Sequence, residues 1–412
     1  MRPVSLCLVL QCDGFVTATL DRQGLNSLFF RCHASTQGPN SFETNRPPCL
    51  PNSRLHGSVK TLNWPYLDLS TDPGGAREQM QDSTKRGRLR EILRSVGVSL
   101  LMAIVTLAVL EIVLRVADFR ELREGVSERS LSYRYDAELG WAPIPNASSL
   151  VTNARTIHAK NNSLGLRDEE FSLDARPTIL FLGDSFVWGL DAEAEERFTD
   201  LLKAKVSDYK ILAAGVSGYG TDQEYLLLKR LWTKVRPAAV VLIFCTQNDR
   251  LDNSTNIRYE GYQKPYFETV ADGALVLKGQ PVPISRQQYF KENRLVRNLW
   301  LARLVTTIYL KLKHPLLFMP DPTERLVGKL REFVEANGAK FLVGIQYRDE
   351  ALIRYLQSSH IPFVSLDGAA FYPGAAVGSH WTPEGQKFVA ERILGLLSEN
   401  NIVQPGEAAR AR

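Results

Sequence analysis

Between Ser95 and Leu114 the chain reads SVGVSLLMAIVTLAVLEIVL, twenty residues whose only charge is Glu111. A helix of that length rises about 1.5 Å per residue and spans a hydrocarbon core of roughly 30 Å. A buried helix of a soluble protein seldom runs so far without polar relief. A cleaved signal peptide has a shorter apolar region, about 7–15 residues, and a small-residue cleavage site, and no A-x-A pattern appears before Asp118. The run is therefore read as an uncleaved transmembrane anchor. Lys85, Arg86, Arg88, Arg90 and Arg94 precede it, against Arg115, Arg120 and Arg123 after it. The positive-inside rule then places the N-terminus in the cytoplasm. Everything after residue 115 is expected to be periplasmic, extracellular or lumenal.

Residues 1–84 mix Pro, Gly, Ser, Asn and Thr with scattered apolar residues and show no sustained period, as expected of a disordered extension. Met80, followed by a basic cluster and an apolar span, is a candidate start of the natural protein. Four of the five cysteines lie in the first fifty residues, and Cys245 sits in an apolar run. That spacing matches no Cys/His zinc pattern. The net charge of +5 comes from 50 basic and 45 acidic residues of mixed order, which gives no nucleic-acid footprint.

Residues 115–176 are charged and turn-rich and read as an arm leading from the membrane. After Pro177 short β-rich runs alternate with longer amphipathic stretches. Strands are expected at 178–182, 209–214, 238–244, 340–345 and 362–366, and helices near 195–207, 222–235 and 383–398. Continuous apolar strands alternating with helices predict a parallel sheet covered on both faces. An insertion at about 250–322 holds a hairpin turning at Asp272-Gly273 and helices near 289–312. Long insertions at strand C-terminal ends are where open α/β sheets build sites.

The sharpest local feature is Phe181-Leu-Gly-Asp-Ser-Phe-Val-Trp-Gly189, where an apolar strand stops at Gly183 and Ser185 stands where a helix would begin. A Ser there lifts its hydroxyl above the sheet edge and leaves its own N–H for an oxyanion. A serine hydroxyl is a weak nucleophile and needs a base, usually His. Of six histidines, His33 and His56 fall in the N-terminal extension and His158 in the arm. His314 precedes a proline and His360 sits on a turn before a strand. His380, on the loop between the last strand and the last helix, shares the sheet edge with Ser185. Asp184 reads as a structural hydrogen-bonding residue, and Ser217 lacks the setting of a nucleophile elbow. Trp188, Tyr219 and Trp381 stand beside these residues, either lining a pocket or packing.

The order GDSF (183–186), GVSGYGTDQE (215–224), TQND (246–249) and SHWTPEG (379–385) resembles the four sequence blocks of SGNH (GDSL-like) hydrolases, named for a Ser, a Gly, an Asn and a His. The likeness covers residues 177–400, and Gly189 stands where bacterial members have one. The LGW and NSLGLRD segments upstream resemble those of anchored bacterial members. The resemblance implies a flavodoxin-like three-layer α/β sandwich with a five-stranded parallel sheet, the SGNH hydrolase fold, preceded by one transmembrane helix. It implies Ser185 as nucleophile and His380 as base. It further implies an oxyanion hole of Ser185 N–H, Gly218 N–H and the Asn248 amide. One position departs: the family's triad Asp lies two or three residues before the His, where this chain has Gly378 and Val377. Either a Ser-His dyad operates, with a backbone carbonyl holding the ring, or another acid serves, Asp367 being the nearest in sequence.

The reading that follows is a membrane-anchored extracytoplasmic esterase that cleaves carboxylic esters through an acyl-enzyme, with no metal or organic cofactor. Its substrate would be an acylated small molecule, lipid or glycan. An O-acyltransferase acting on extracellular glycans uses the same residues. A binding or assembly protein on a decayed scaffold is the reading from a different class, prompted by the missing acid.

Overall fold

The apolar run forms the second half of one long helix, α1 (Pro73–Ala117), in a computed structural model that describes residues 73–123, 132–172, 174–259, 261–374 and 378–404. The chain divides into two units, Met1–Gln79 and Met80–Arg412. The disorder expected over residues 1–84 lies outside the described residues up to 72, while 73–84 are helical. The stretch Lys85–Ala117 has a mean hydropathy of 2.5 in its most apolar window and is long and apolar enough to cross a membrane. None of that window is buried against the protein.

Residues 132–172 form two antiparallel hairpins, β1 (Tyr133–Asp136) with β2 (Gly140–Pro143), and β3 (Ser148–Thr152) with β4 (Thr156–Lys160). After them the βα alternation begins. Strand β5 (Thr178–Gly183) leads to a one-turn helix α2 (Ser185–Trp188), then α3 (Phe198–Lys203), β6 (Lys210–Gly215), α4 (Thr221–Val235) and β7 (Ala239–Phe244). The insertion follows: α5 (Asp249–Asn253), a hairpin of β8 (Tyr266–Thr269) and β9 (Leu275–Lys278), and three helices. These are α6 (Arg286–Glu292), α7 (Arg294–Asn298) and α8 (Trp300–Lys313). The helices expected near 289–312 are these three, and between the first two the Asn293 side chain caps α7 by accepting from Leu295 and Val296 N–H. The chain closes with α9 (Thr323–Ala336), β10 (Lys340–Ile345), α10 (Glu350–Ser358), β11 (Phe363–Ser365) and α11 (Pro383–Glu399).

The five sheet strands are all parallel, in the order β11-β10-β7-β5-β6. Because side chains alternate across a strand, each strand feeds two cores. Leu180, Leu182, Leu242 and Val343 pack with Leu228 of α4 and Leu330 of α9 on one face. Ile179, Phe181, Val241 and Leu342 pack with Leu202 of α3 and Ile393 of α11 on the other. This is the three-layer α/β sandwich that the pattern predicts. At about 25 cal/mol per Å² of apolar area removed from water, these two layers are the main source of its stability.

Candidate active site

The C-terminal ends of β5, β6 and β7 carry Ser185, Gly218 and Asn248 in turn, on neighbouring strands about 4.8 Å apart. Gly183 ends β5, and Asp184 caps α2 by accepting from Phe186 N–H at 2.9 Å, so Ser185 becomes the first helical residue. The turn packs directly on β6. A Cβ at Gly215 would lie 2.1 Å from Trp188 N, which only glycine avoids. Ser185 and His380 are both nearly enclosed, at 7% and 4% exposure.

The Ser185 hydroxyl and His380 Nε2 are hydrogen-bonded at 2.7 Å across 195 residues of sequence. His380 Nδ1 lies 3.1 Å from the Gly378 carbonyl. A carbonyl only accepts, so Nδ1 carries the proton and Nε2 is left to accept from Ser185. Asp191 Oδ2 stands 3.8 Å from the same Nδ1, and Asp191 is fully buried. Thr382, two residues past His380, caps α11 by accepting from Gly385 N–H, while its own N–H donates to Ala370 O. That anchors the histidine loop.

Asp367 is placed elsewhere. It is exposed at the end of β11, with its N–H donating to Ser365 Oγ, and it is not within ion-pairing distance of His380. The carboxylate that faces His380 Nδ1 belongs instead to Asp191, six residues beyond Ser185. Its left-handed backbone (φ 66°) turns its carboxylate back toward the histidine. No short motif marks it. Its two oxygens are also held by Ala154 N–H at 2.8 Å and Asn153 Nδ2 at 2.7 Å, and Asn153 Nδ2 reaches the Gly378 carbonyl at 3.2 Å. The tip of the β3–β4 hairpin therefore ties both groups that face Nδ1.

The β1–β2 hairpin steadies the Gly218 loop in the same way. Ser217 N–H donates to Tyr133 Oη at 3.2 Å, and Trp141 Nε1 donates to Ser217 O at 3.3 Å. Gly218 itself has φ 79°, and among the described residues its N–H has no acceptor. Asn248 Nδ2 donates to Asp252 Oδ2 at 2.8 Å and its Oδ1 accepts from Cys245 Sγ at 2.7 Å. Trp188, Tyr219 and Trp381 are buried packing residues: Trp141 meets Tyr219 edge-on, and Trp381 meets Phe186 and Phe198.

Beneath the edge lies a group of acids the motifs did not single out: Asp184, Asp222, Glu224, Asp249 and Asp252, all buried. Lys264 is bonded to Asp222. Among the described residues neither oxygen of Glu224 has a hydrogen-bond partner. Burial, then the neighbouring carboxylates, pushes Glu224 and Asp249 well above the usual carboxylate range. Burial likewise raises Asp252 to about 7. Ligand atoms of Asp184, Cys245 and Asp249 lie within 4.8 Å of one another. Metal ligation needs thiolate and carboxylate, and burial drives the Cys245 thiol and the Asp249 carboxyl the other way. The Asp249 carboxylate is also engaged by Cys245 N–H at 2.8 Å. Cys245 and Asp249 therefore suit a hydrogen-bonded support better than a metal site.

No family model matches the sequence, and no curated protein matches it. Solved structures align to about half of the chain. TesA is 16% identical over 54% of this chain and 98% of its own, at a TM-score of 0.33. A GDSL-like lipase from Bacteroides thetaiotaomicron is 14% identical over 54% and 88%, at 0.30. The acetyl xylan esterase AlAXEase is 12% identical over 53% and 98%, at 0.31. What places the chain is its own sheet: five parallel strands between two helical layers, with the four blocks at one edge. The chain has the three-layer α/β sandwich with a five-stranded parallel sheet that the sequence predicts, and Ser185, Gly218, Asn248 and His380 stand at the C-terminal edge of that sheet.

Proposed function

We propose that the chain is a membrane-anchored, extracytoplasmic serine esterase acting on acyl esters. The observation that carries this reading is the 2.7 Å hydrogen bond between Ser185 Oγ and His380 Nε2, with Nδ1 engaged by Gly378 O. In the proposed reaction Ser185 Oγ attacks the ester carbonyl as its proton passes to Nε2, and the alcohol leaves with that proton. The oxyanion is received by Ser185 N–H, Gly218 N–H and the Asn248 amide. Water, deprotonated by His380, then cleaves the acyl-enzyme and releases the acid. Asp191 favours the imidazolium that forms in each step. An acid in this place removes the reason to regard the scaffold as decayed. The upward shift of Glu224 and Asp249 lessens the buried negative charge that would oppose the oxyanion.

The excess of basic residues before α1 supports a cytoplasmic N-terminus and a domain on the opposite side. The test is p-nitrophenyl acetate hydrolysis by the detergent-solubilised chain beside its Ser185→Ala and His380→Ala variants. Activity lost in both supports the esterase. Equal rates in all three overturn it.

A further inference from the structure

Helix α8 is built inside out. Its inward face carries Arg303, Thr307 and Leu310, whereas its outward face carries Val305, Ile308, Tyr309 and Leu312. These four recur at helical spacing as one stripe, and their exposures are 61%, 49%, 50% and 80%. The stripe continues past the helix through Leu316 and Phe318. The buried arginine is fully served: Nε donates to Val296 O, Nη1 to Leu122 O and Nη2 to Arg297 O. A helix that faces water normally turns its apolar stripe to the core. A contiguous exposed stripe marks a surface that something apolar covers.

The position of α8 says what covers it. Glu111, the one charge in the apolar run of α1, accepts from Trp300 N–H at 2.9 Å and Leu301 N–H at 2.8 Å. These are orphan donors of the α8 N-terminus, whose dipole favours an anion. Arg115 of α1 donates to Asn298 O. The start of α8 is therefore fixed beside the last turn of the membrane-crossing stretch, about 5 Å inside its end at 1.5 Å per residue. Lys311 and Lys313 lie on either side of the stripe, and Arg297 precedes it. Basic side chains flanking an apolar face suit lipid headgroups.

We propose that α8 and the segment to Phe318 lie in the headgroup–acyl boundary of the bilayer that α1 crosses, a second and monotopic membrane contact that holds the hydrolase domain against the lipid surface. This rests on the reading of α1 as membrane-spanning. Glu111 thereby gains a structural purpose, as the link between the spanning and the surface-lying helix.

The experiment places the full chain in phosphatidylcholine–phosphatidylglycerol vesicles whose acyl chains carry a diazirine, and maps adducts by mass spectrometry after illumination. Adducts on 305–318 as well as 95–114 are expected. The double variant Ile308→Glu, Leu312→Glu should lose about ten-fold of the 305–318 adducts, while p-nitrophenyl acetate hydrolysis stays unchanged. Adducts on 95–114 alone overturn the surface contact and leave the anchor standing. Adducts on neither overturn both. Cross-linking of two chains through α8 in place of lipid adducts assigns the face to a second copy and also overturns the proposal.

Discussion

Beneath Ser185 the chain buries carboxylates, and along α8 it exposes aliphatic side chains, so the two regions break the usual arrangement in opposite senses. The site is enclosed by the sheet and both hairpins, and Glu224 and Asp249 are fully buried. Protonation is what makes that burial tolerable, because an isolated buried carboxylate is costly and a neutral one is not. On α8 the arginine goes inward and is satisfied by three carbonyls, while the apolar stripe meets the surroundings. The comparison teaches that polarity alone does not say which side of an element is inside. What decides is whether each group's demands, protons or hydrogen bonds for one and an apolar neighbour for the other, are met where it lies.

The largest expected effects test the enclosed region. Ser185→Ala and His380→Ala should each lower kcat/KM for p-nitrophenyl acetate by about 10⁴–10⁶-fold, since members of such a unit fail together. Rates within ten-fold of wild type would remove the pair from the chemistry. Asn248→Ala should cost on the order of 10²–10³ in kcat, and a change confined to KM would make the amide a substrate contact instead. Asp191→Asn should cost about 10–10²-fold, less than the serine or histidine, because Gly378 O already fixes the ring and the carboxylate stands 3.8 Å away. An unchanged rate would reduce the site to a Ser-His dyad.

A smaller effect sharpens the account of the buried acids. A carboxyl whose folded pKa is raised binds its proton more tightly when folded. Its stabilising contribution is full below its ordinary pKa and is lost as pH rises through the folded value. For Asp252 that window runs from its ordinary 3.8 to about 7. Glu224→Gln removes a titration of the same sign. It should raise Tm at pH 8 by about 2–4 °C, near 1 kcal/mol. The gain should fade as pH falls toward the ordinary 4.5 of Glu224. A gain equal at all pH values would show that Glu224 is not held protonated.

Much of the fold was legible. The five strands stand within a residue or two of their expected ranges, because continuous apolar runs bounded by Pro, Gly and Asn leave little choice of element. Ser185 and His380 could be paired from the sequence because each stands on a loop following the C-terminal end of a parallel strand, which topology brings to one edge. Asp191 could not. It reaches the histidine through a left-handed turn and contacts from a hairpin about forty residues upstream that reads, locally, as an arm.

By itself, then, the sequence determined the apolar span, the alternation of strands and helices, and the order of the four blocks, since these depend on neighbours along the chain and on periods of two and 3.6 residues. The tertiary structure decided which acid faces the histidine, that Glu224 lies fully buried, and which face of α8 points outward. These are matters of what surrounds a group in space, and a helix with an apolar stripe has the same pattern whether the stripe meets a core or a bilayer.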